Sequence, residues 1–180
     1  MTPSLRLIAT SAQIVETCRA VEQIVEPVTQ LAGLSIPVEV LATFDNLPEA
    51  ERSQVMKDTF AAYRRSTKTI YINQKTFFVL SPLIQQAVFG HEIAHALAHR
   101  DSLMEKTVAY SELGDYAEEF LADRLACSWG FFIGLREERN ISYGPRYVAA
   151  LEQWPDEGRY CRAMHLWRQQ KIAGILDYEQ

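Results

Sequence analysis

The sequence is poor in cysteine. Cys18, Cys127 and Cys161 are the three in 180 residues, and they are widely spaced and odd in number. A disulfide framework needs pairs of cysteines, and a thiolate zinc site usually contains a CxxC pair, so we expect neither. We interpret each cysteine as a small buried apolar side chain and expect a reducing, cytoplasmic setting.

Long apolar runs and an excess of basic residues are also missing. No stretch of about 18 uninterrupted apolar residues occurs, and the N-terminus lacks the pattern of a signal peptide, so we expect neither a membrane nor export. The net charge is −5 and the Lys and Arg residues are scattered. A nucleic-acid partner is therefore not expected. No residue pattern indicates an oligomeric state.

The remaining composition is that of an ordinary folded protein. Hydrophobic residues make up 48% of the chain and charged residues 23%. These values are close to the average for soluble globular proteins, and 180 residues fit one hydrophobic core. We therefore predict that residues 1–180 form a single domain.

Helical patterns dominate the chain. Apolar spacing predicts an amphipathic helix over residues 11–31, which Pro27 should bend or end near Val25. Ser81-Pro82 is a favourable helix start, and the helix that follows should run to about His99 and be buried on most sides. A further strong helix is predicted from about residue 115 to 132.

Strand patterns are fewer and shorter. Residues 37–44 are rich in β-branched and apolar side chains, and residues 61–63 and 69–73 flank a basic polar tip as in a hairpin. Residues 49–60 fit either a short helix or an exposed loop. The fold class that we predict is α+β, mainly helical, with a small three-stranded sheet beside the buried helix that starts at Pro82.

The segment His91-Glu92-Ile93-Ala94-His95 matches HExxH inside that helix. Residues four apart lie one turn apart on the same face, so both imidazoles can reach one ion. Glu92 is rotated by roughly 100°, where it could touch a water on the ion. The pattern predicts a catalytic Zn²⁺ site with His91 and His95 as ligands and Glu92 as the general base.

A catalytic zinc ion usually has three protein ligands, so one more is needed. We predict Glu119, because its helical pattern is strong and it shares a face with Asp123 at i, i+4. Asp123 could then orient a ligating imidazole through the second ring nitrogen. Glu118 is the rival ligand, rotated by roughly 100°. Alternatively, these acidic residues form a solvated helix face with Arg124.

His99 extends the histidine pattern by another turn. At i+8 it has drifted by about 80° from His91, and the glycine that breaks the helix in metzincins is missing. We predict that His99 is not a ligand, but a surface or supporting residue at the helix end. As a fourth ligand it would instead favour a structural zinc site.

The two motifs, His91-Glu92-x-x-His95 and Glu119-x-x-x-Asp123, resemble the gluzincin group of zinc metallopeptidases over roughly residues 61–129. Within that group, the string Glu119-x-x-Ala-Asp-x-x-Ala126 and the strand TIYIN are similar to the compact ImmA/IrrE-like peptidases. A similar string occurs in membrane-associated HtpX-like peptidases, whose transmembrane helices this sequence lacks. The resemblance implies a zincin-like fold and proteolysis of a regulatory protein.

The chemistry expected from these residues is hydrolysis of a protein or peptide substrate. Glu92 would activate a zinc-bound water and pass its proton to the leaving amine. An extended substrate could pair with the strand at residues 69–73. The donor that stabilises the oxyanion stays open among several residues: Tyr110, Tyr116, Tyr143, Tyr147, Arg146 and His165.

The alternative hypothesis is a catalytically silent, zinc-bearing binding or sensor module. A structural zinc ion normally has four protein ligands and needs no general base. Glu92 beside three ligands therefore favours an endopeptidase.

Overall fold

Helices contain most of the residues that the structure describes. The structure is a computed structural model, and it describes residues 5–7, 11–47, 59–103, 113 and 116–173. Within these ranges, no helix combines the length and apolar character needed to cross a bilayer. The helices are α1 (Ser11–Ala32), α2 (Gln74–Phe77), α3 (Pro82–Arg100), α4 (Ala117–Ala126), α5 (Phe132–Tyr143), α6 (Pro145–Leu151) and α7 (Glu157–Ile172).

The strands form a mixed sheet, in agreement with the predicted α+β class. They are β1 (Leu5–Leu7), β2 (Val38–Leu41), β3 (Ala61–Arg64) and β4 (Thr69–Asn73). Their order across the sheet is β1-β2-β4-β3, with β3 antiparallel to β4 and the other pairs parallel. The three expected strands are present, and β1 adds a fourth that is too short to produce a periodic sequence pattern.

The first helix does not end at Pro27. α1 runs from Ser11 to Ala32, which confirms the helix predicted over residues 11–31, and Pro27 lies inside it without ending it near Val25. Pro27 and Gln23 are exposed, and water can bond the Gln23 carbonyl that loses its partner at residue 27. Burial of the apolar stripe outweighs the lost bond. The stripe consists of Val21, Ile24, Val25 and Val28.

The helix that contains the HExxH motif lies between two parts of the hydrophobic core. α3 begins where predicted, with Ser81 Oγ accepting from Ile84 N–H at 3.4 Å, and it is buried on most sides. Val88 and Ala96 pack in a cluster with α1 and the sheet. Ala87 and Ala98 pack in a second cluster with α4 to α7. One face of α3 thus packs against α1 and the sheet, and the other face packs against α4 to α7.

The helix predicted over residues 115–132 is interrupted, which corrects that prediction. Residue 115 lies outside the described part, α4 ends at Ala126, and one π-type turn over Cys127–Phe131 leads into α5. Gly130 within this turn has φ +96°, a conformation that glycine adopts without steric cost. The chain therefore changes direction at Gly130, and α5 packs back onto α3.

The close approach of α5 to α3 requires a glycine. A Cβ atom at Gly134 would collide with the Leu83 carbonyl oxygen and would lie 2.7 Å from Ala87 Cβ. Only hydrogen fits at this crossing. Gly134 thus sets the distance at which α5 presents its later residues to α3.

Several sequence predictions concern residues outside the described part. They are residues 49–58 of the segment predicted as either a short helix or an exposed loop, Tyr110, and the Cys18 side chain. Cys127 and Cys161 are buried, as expected. Burial also raises the pKa of the Cys127 thiol far above its usual range, so it is not a reactive thiolate.

Candidate metal centre

The two histidines of the HExxH motif face each other on the buried side of α3. Their Nε2 atoms are 3.0 Å apart, and their rings are nearly perpendicular at 89°. Both side chains are buried. This geometry follows from their i, i+4 spacing, which places them one turn apart on the face toward α4.

Glu119 on α4 reaches both histidines. Its Oε2 atom is 3.3 Å from His91 Nε2, and its Oε1 atom is 3.5 Å from His95 Nε2. Among the described residues, these three form a group whose ligand atoms all lie within 4.8 Å of one another. The group could hold a metal ion. About half of the Glu119 side chain, 51%, is exposed, so the group is open to solvent on that side.

The ligand spacing fits a small tetrahedral ion. Bonds of about 2.0–2.1 Å from zinc to nitrogen or oxygen place neighbouring ligands roughly 3.3 Å apart. The separations of 3.0, 3.3 and 3.5 Å among the three side chains bracket that value. The residues present therefore fit zinc without a rearrangement of the backbone.

The histidines and Glu119 shift one another's pKa. Burial lowers the pKa of His95, but Glu119 and Glu118 outweigh burial and leave it well above the usual value. Partial burial raises the pKa of Glu119, whereas His95 and His91 hold it well below its usual range. The side chains thus attract one another strongly even before a cation is added.

Asp123 is placed where the sequence predicted a residue that orients an imidazole. It lies one turn beyond Glu119, is fully buried, and has Oδ1 2.8 Å from His91 Nδ1. With His91 Nδ1 donating to Asp123, Nε2 is the ring nitrogen that faces His95 and Glu119 and could bind a metal ion. The carboxylate therefore fixes both the tautomer and the direction of the ring.

Arg139 on α5 is the main residue of this centre that the sequence did not reveal. Its Nη2 donates to Asp123 Oδ1 at 2.6 Å, and its Nε lies 3.2 Å from both carboxylate oxygens. Tyr147 O–H donates to Asp123 Oδ2 at 2.6 Å. Although burial raises the pKa of Asp123, Arg139 and His91 hold it well below its usual range. Asp123 is therefore ionised at neutral pH, and both of its carboxylate oxygens accept hydrogen bonds.

The buried charges continue beyond Arg139. Its Nη1 donates to Glu138 Oε2 at 2.5 Å, and Glu138 Oε1 accepts from Ser142 Oγ at 2.6 Å. Arg139 Nη2 also lies 3.0 Å from His91 Nδ1. The buried Arg139 guanidinium thus forms ion pairs with two buried carboxylates, Asp123 and Glu138. Loss of any one partner would leave an uncompensated buried charge.

Glu92 faces the sheet rather than α4. Its Oε2 accepts from the Tyr63 backbone N–H of β3 at 2.6 Å, and the side chain is buried. Burial raises the pKa of Glu92, while His91 and His95 lower it and the net direction is upward. Glu92 thus lies on a different face of α3 from His91, as the rotation of roughly 100° per residue predicts. The backbone of the edge strand β3 holds its carboxylate. Tyr63 was not predicted from the sequence.

Glu118 and His99 lie at the margin of the site. Glu118 Oε1 is 3.4 Å from His95 Nδ1, the ring nitrogen that is not used in the three-residue group. His99, which we predicted not to be a ligand, lies outside that group, with Nδ1 3.1 Å from Tyr63 Oη. The geometry therefore favours Glu119 over Glu118 as the third ligand.

Substitution of the two glutamates tests this choice. Glu119→Ala should weaken zinc binding by about 100-fold or more, because one of three ligands is lost. Glu118→Ala is the matched control and should change the affinity by less than about tenfold, because a residue outside the metal's reach acts only through His95. Competition with a chelating dye measures both. A larger loss for Glu118→Ala would show that the wrong carboxylate has been chosen.

The residues suggested as oxyanion donors separate into different environments. Tyr147 already donates to Asp123, and Tyr116 stacks on Phe120 with ring centroids 5.8 Å apart. Arg146 lines a groove between α6 and α7, and His165 Nε2 contacts Gln169 at 2.8 Å on α7.

Tyr143 lies beside the centre, one turn after Arg139 on α5. The Arg139 guanidinium is 5.4 Å from its ring centroid, and its ring stacks on Tyr147 at 4.9 Å. Burial raises the pKa of Tyr143 to about 12, opposed by Arg139 and supported by Glu119. The hydroxyl therefore keeps its proton at neutral pH and can act as a donor.

The sheet order corrects one expectation about substrate binding. β4, at residues 69–73, lies between β2 and β3, so both of its edges are already paired. β3 is the edge strand on the side of Glu92. An added strand would therefore pair with residues 61–64 rather than 69–73.

Comparison with known proteins returns no relative of this chain. No family model matches it, and no curated protein or solved structure is significantly similar to it.

Proposed function

We propose that the protein is a zinc-dependent endopeptidase of the gluzincin type, with a zincin-like fold, that acts in the cytoplasm. The observation that carries the proposal is the convergence of His91, His95 and Glu119 beside the buried Glu92. The ligand set contains nitrogen and oxygen without sulfur. Three protein ligands leave a position for water, as is usual for catalytic zinc.

Each residue then has a distinct role. A bound zinc ion would lower the pKa of a coordinated water to about 7 and polarise the scissile carbonyl. Glu92 takes a proton from the attacking water and delivers it to the leaving amine. Its raised pKa makes it a stronger base than an exposed glutamate, and the Tyr63 N–H keeps its carboxylate in place.

The substrate is proposed to bind along β3 in an extended conformation. Asn73 N–H donates to the Phe60 carbonyl at 2.9 Å, which makes residues 60 and 73 a hydrogen-bonded pair. In an antiparallel ladder this pattern alternates, so the backbone groups of Ala61 and Tyr63 point away from β4. The Tyr63 carbonyl can then accept from a peptide N–H. As in the ImmA/IrrE-like peptidases, the proposed substrate is a regulatory protein.

Tyr143 is proposed to stabilise the oxyanion. Tyr143→Phe should reduce kcat for peptide cleavage by about 10²-fold and leave zinc affinity unchanged, because only a donor to the developing negative charge is lost. Tyr116→Phe removes a hydroxyl from a packed ring and should leave kcat unchanged. Steady-state kinetics with a quenched fluorescent peptide measure both. An unchanged kcat in Tyr143→Phe would remove this residue from the mechanism.

Removal and restoration of zinc tests the proposed function. Chelation of purified protein should abolish peptide cleavage, and zinc should restore it in proportion to the ion bound, because all three ligands serve one ion. Mass spectrometry of the products identifies the broken bonds. Stoichiometric zinc binding without cleavage of peptide libraries or casein would favour the zinc-bearing binding module instead.

A further inference from the structure

A groove lies between α6 and α7, on the far side of Trp167 from Asp123. Its volume is about 430 Å³, and Trp167 forms part of its wall. The Trp167 ring lies 4.8 Å from the Tyr147 ring, whose hydroxyl bonds Asp123. The groove is thus separated from the metal ligands by packed aromatic side chains, and it has no role in the proposed hydrolysis.

The rim of the groove is strongly basic. Arg146, Arg159 and Arg162 all line it, although the whole chain carries a net charge of −5. Arg159 lies 3.6 Å from the exposed Asp156. Across the described ranges, neither Arg146 nor Arg162 forms an ion pair with a carboxylate. Asp156 therefore offsets part of the positive charge at Arg159 and Arg162, and Arg146 adds a further positive charge at the rim.

The floor of the groove is apolar. Small side chains at Ala149, Ala150 and Ala163 leave the space open, and Leu166 contributes an aliphatic side chain. Leu166 is 56% exposed, so its side chain is accessible to a ligand in the groove. A free inorganic anion would gain nothing from this floor, whereas an apolar side chain flanked by carboxylates would contact both the floor and the rim.

We propose that this groove binds a short acidic and apolar segment of a partner protein. The groove is open to solvent along its length, and its volume of about 430 Å³ accommodates a few side chains of an extended segment. Glutamate or aspartate side chains pair with the arginines, and a leucine-like side chain lies on Leu166 and the alanines. The proposal does not depend on zinc or on hydrolysis.

The test uses the full chain and a fluorescein-labelled peptide of alternating glutamate and leucine. Fluorescence anisotropy should detect saturable binding that weakens with added salt. Arg146→Gln/Arg162→Gln should weaken binding by roughly tenfold, because two charge-assisted contacts are lost. Arg19→Gln/Arg100→Gln removes the same charge from exposed sites elsewhere and should leave the affinity unchanged.

A second pair of variants tests the apolar floor. Leu166→Ser should weaken binding by several-fold, and Ile141→Ser, which changes an equally exposed residue on α5, should not. Both residues are exposed, so neither variant should unfold the protein.

Several results would overturn the proposal. They are equal binding of a glutamine-leucine peptide, competition by inorganic phosphate or polyglutamate as strong as by the acidic apolar peptide, and unchanged affinity in the arginine variant. Sedimentation of the protein without peptide, which measures its oligomeric state, can give one further contradicting result. A dimer that dissociates in Arg146→Gln/Arg162→Gln would identify a second copy of the chain as the occupant.

Discussion

Glu92→Gln should reduce peptide cleavage by about 10²- to 10⁴-fold while zinc binding stays at the wild-type level. The loss corresponds to removal of a general base, because an amide cannot take a proton from the attacking water. The fold should be retained, since the glutamine oxygen can still accept from the Tyr63 N–H that now bonds Glu92 at 2.6 Å. Parallel measurements of kcat and zinc affinity separate the two effects.

Glu137→Gln provides the control for Glu92→Gln. Glu137 is exposed on α5, so the same chemical change there should leave cleavage and zinc binding intact. Full activity of Glu92→Gln would rule out the proposed mechanism. Loss of zinc together with activity would instead make Glu92 part of the binding site.

Arg139→Met should lower the free energy of unfolding by about 3–5 kcal/mol. The substitution leaves the buried carboxylates of Asp123 and Glu138 without their cation, and the loss of one partner from a buried ion pair costs about that much. Asp123 would also lose the bonds that hold it against His91, so zinc affinity should fall by about 10- to 100-fold. Urea unfolding of the metal-free protein measures the first effect separately from the second.

Arg136→Met is the matched control for Arg139→Met, because both arginines lie on α5. Arg136 pairs with Glu152 at 2.9 Å, but both side chains are about half exposed, so its loss should cost no more than about 1 kcal/mol. Adding Asp123→Asn to Arg139→Met should recover part of the lost stability by removing a buried charge. If Arg139→Met is no more destabilising than Arg136→Met, the buried network does not hold the centre together.

The residues predicted from the sequence are those related by helical spacing. His91 and His95 are four apart on α3, and Glu119 and Asp123 are four apart on α4, so each pair shares a face whatever the rest of the chain does. The structure places these two pairs against each other and leaves Glu92 toward β3. Local periodicity was enough to predict them because the centre lies where two regular helices cross.

Arg139, Tyr147 and Tyr63 could not be found in the same way. Arg139 reaches Asp123 only because the chain turns at Gly130 and α5 packs closely on α3 at Gly134. A buried aspartate needs a cation, but the sequence contains many arginines and no local signal distinguishes this one. Tyr63 contributes a backbone N–H, and its side-chain type carries no information about that role.

The order of the strands in the sheet could not be predicted from the sequence either. The hairpin of β3 and β4 is predicted by the two strand-like segments that flank a basic polar tip. Which strand forms the edge depends instead on the parallel pairing of β2 with β4. That contact joins residues about 32 positions apart, and loop length does not specify it. The sequence therefore predicts residues 69–73 of β4 as the substrate-binding strand, although β3 is the strand at the edge.

X-ray absorption at the zinc edge shows whether two imidazoles and a carboxylate bind zinc in an open site. The purified protein should bind about one zinc ion per chain, with nitrogen and oxygen ligands at about 2.0–2.1 Å, including two imidazoles. Glu119→Ala should lose one oxygen ligand from that shell. A protein that does not bind zinc, or that binds it through sulfur, would contradict the account.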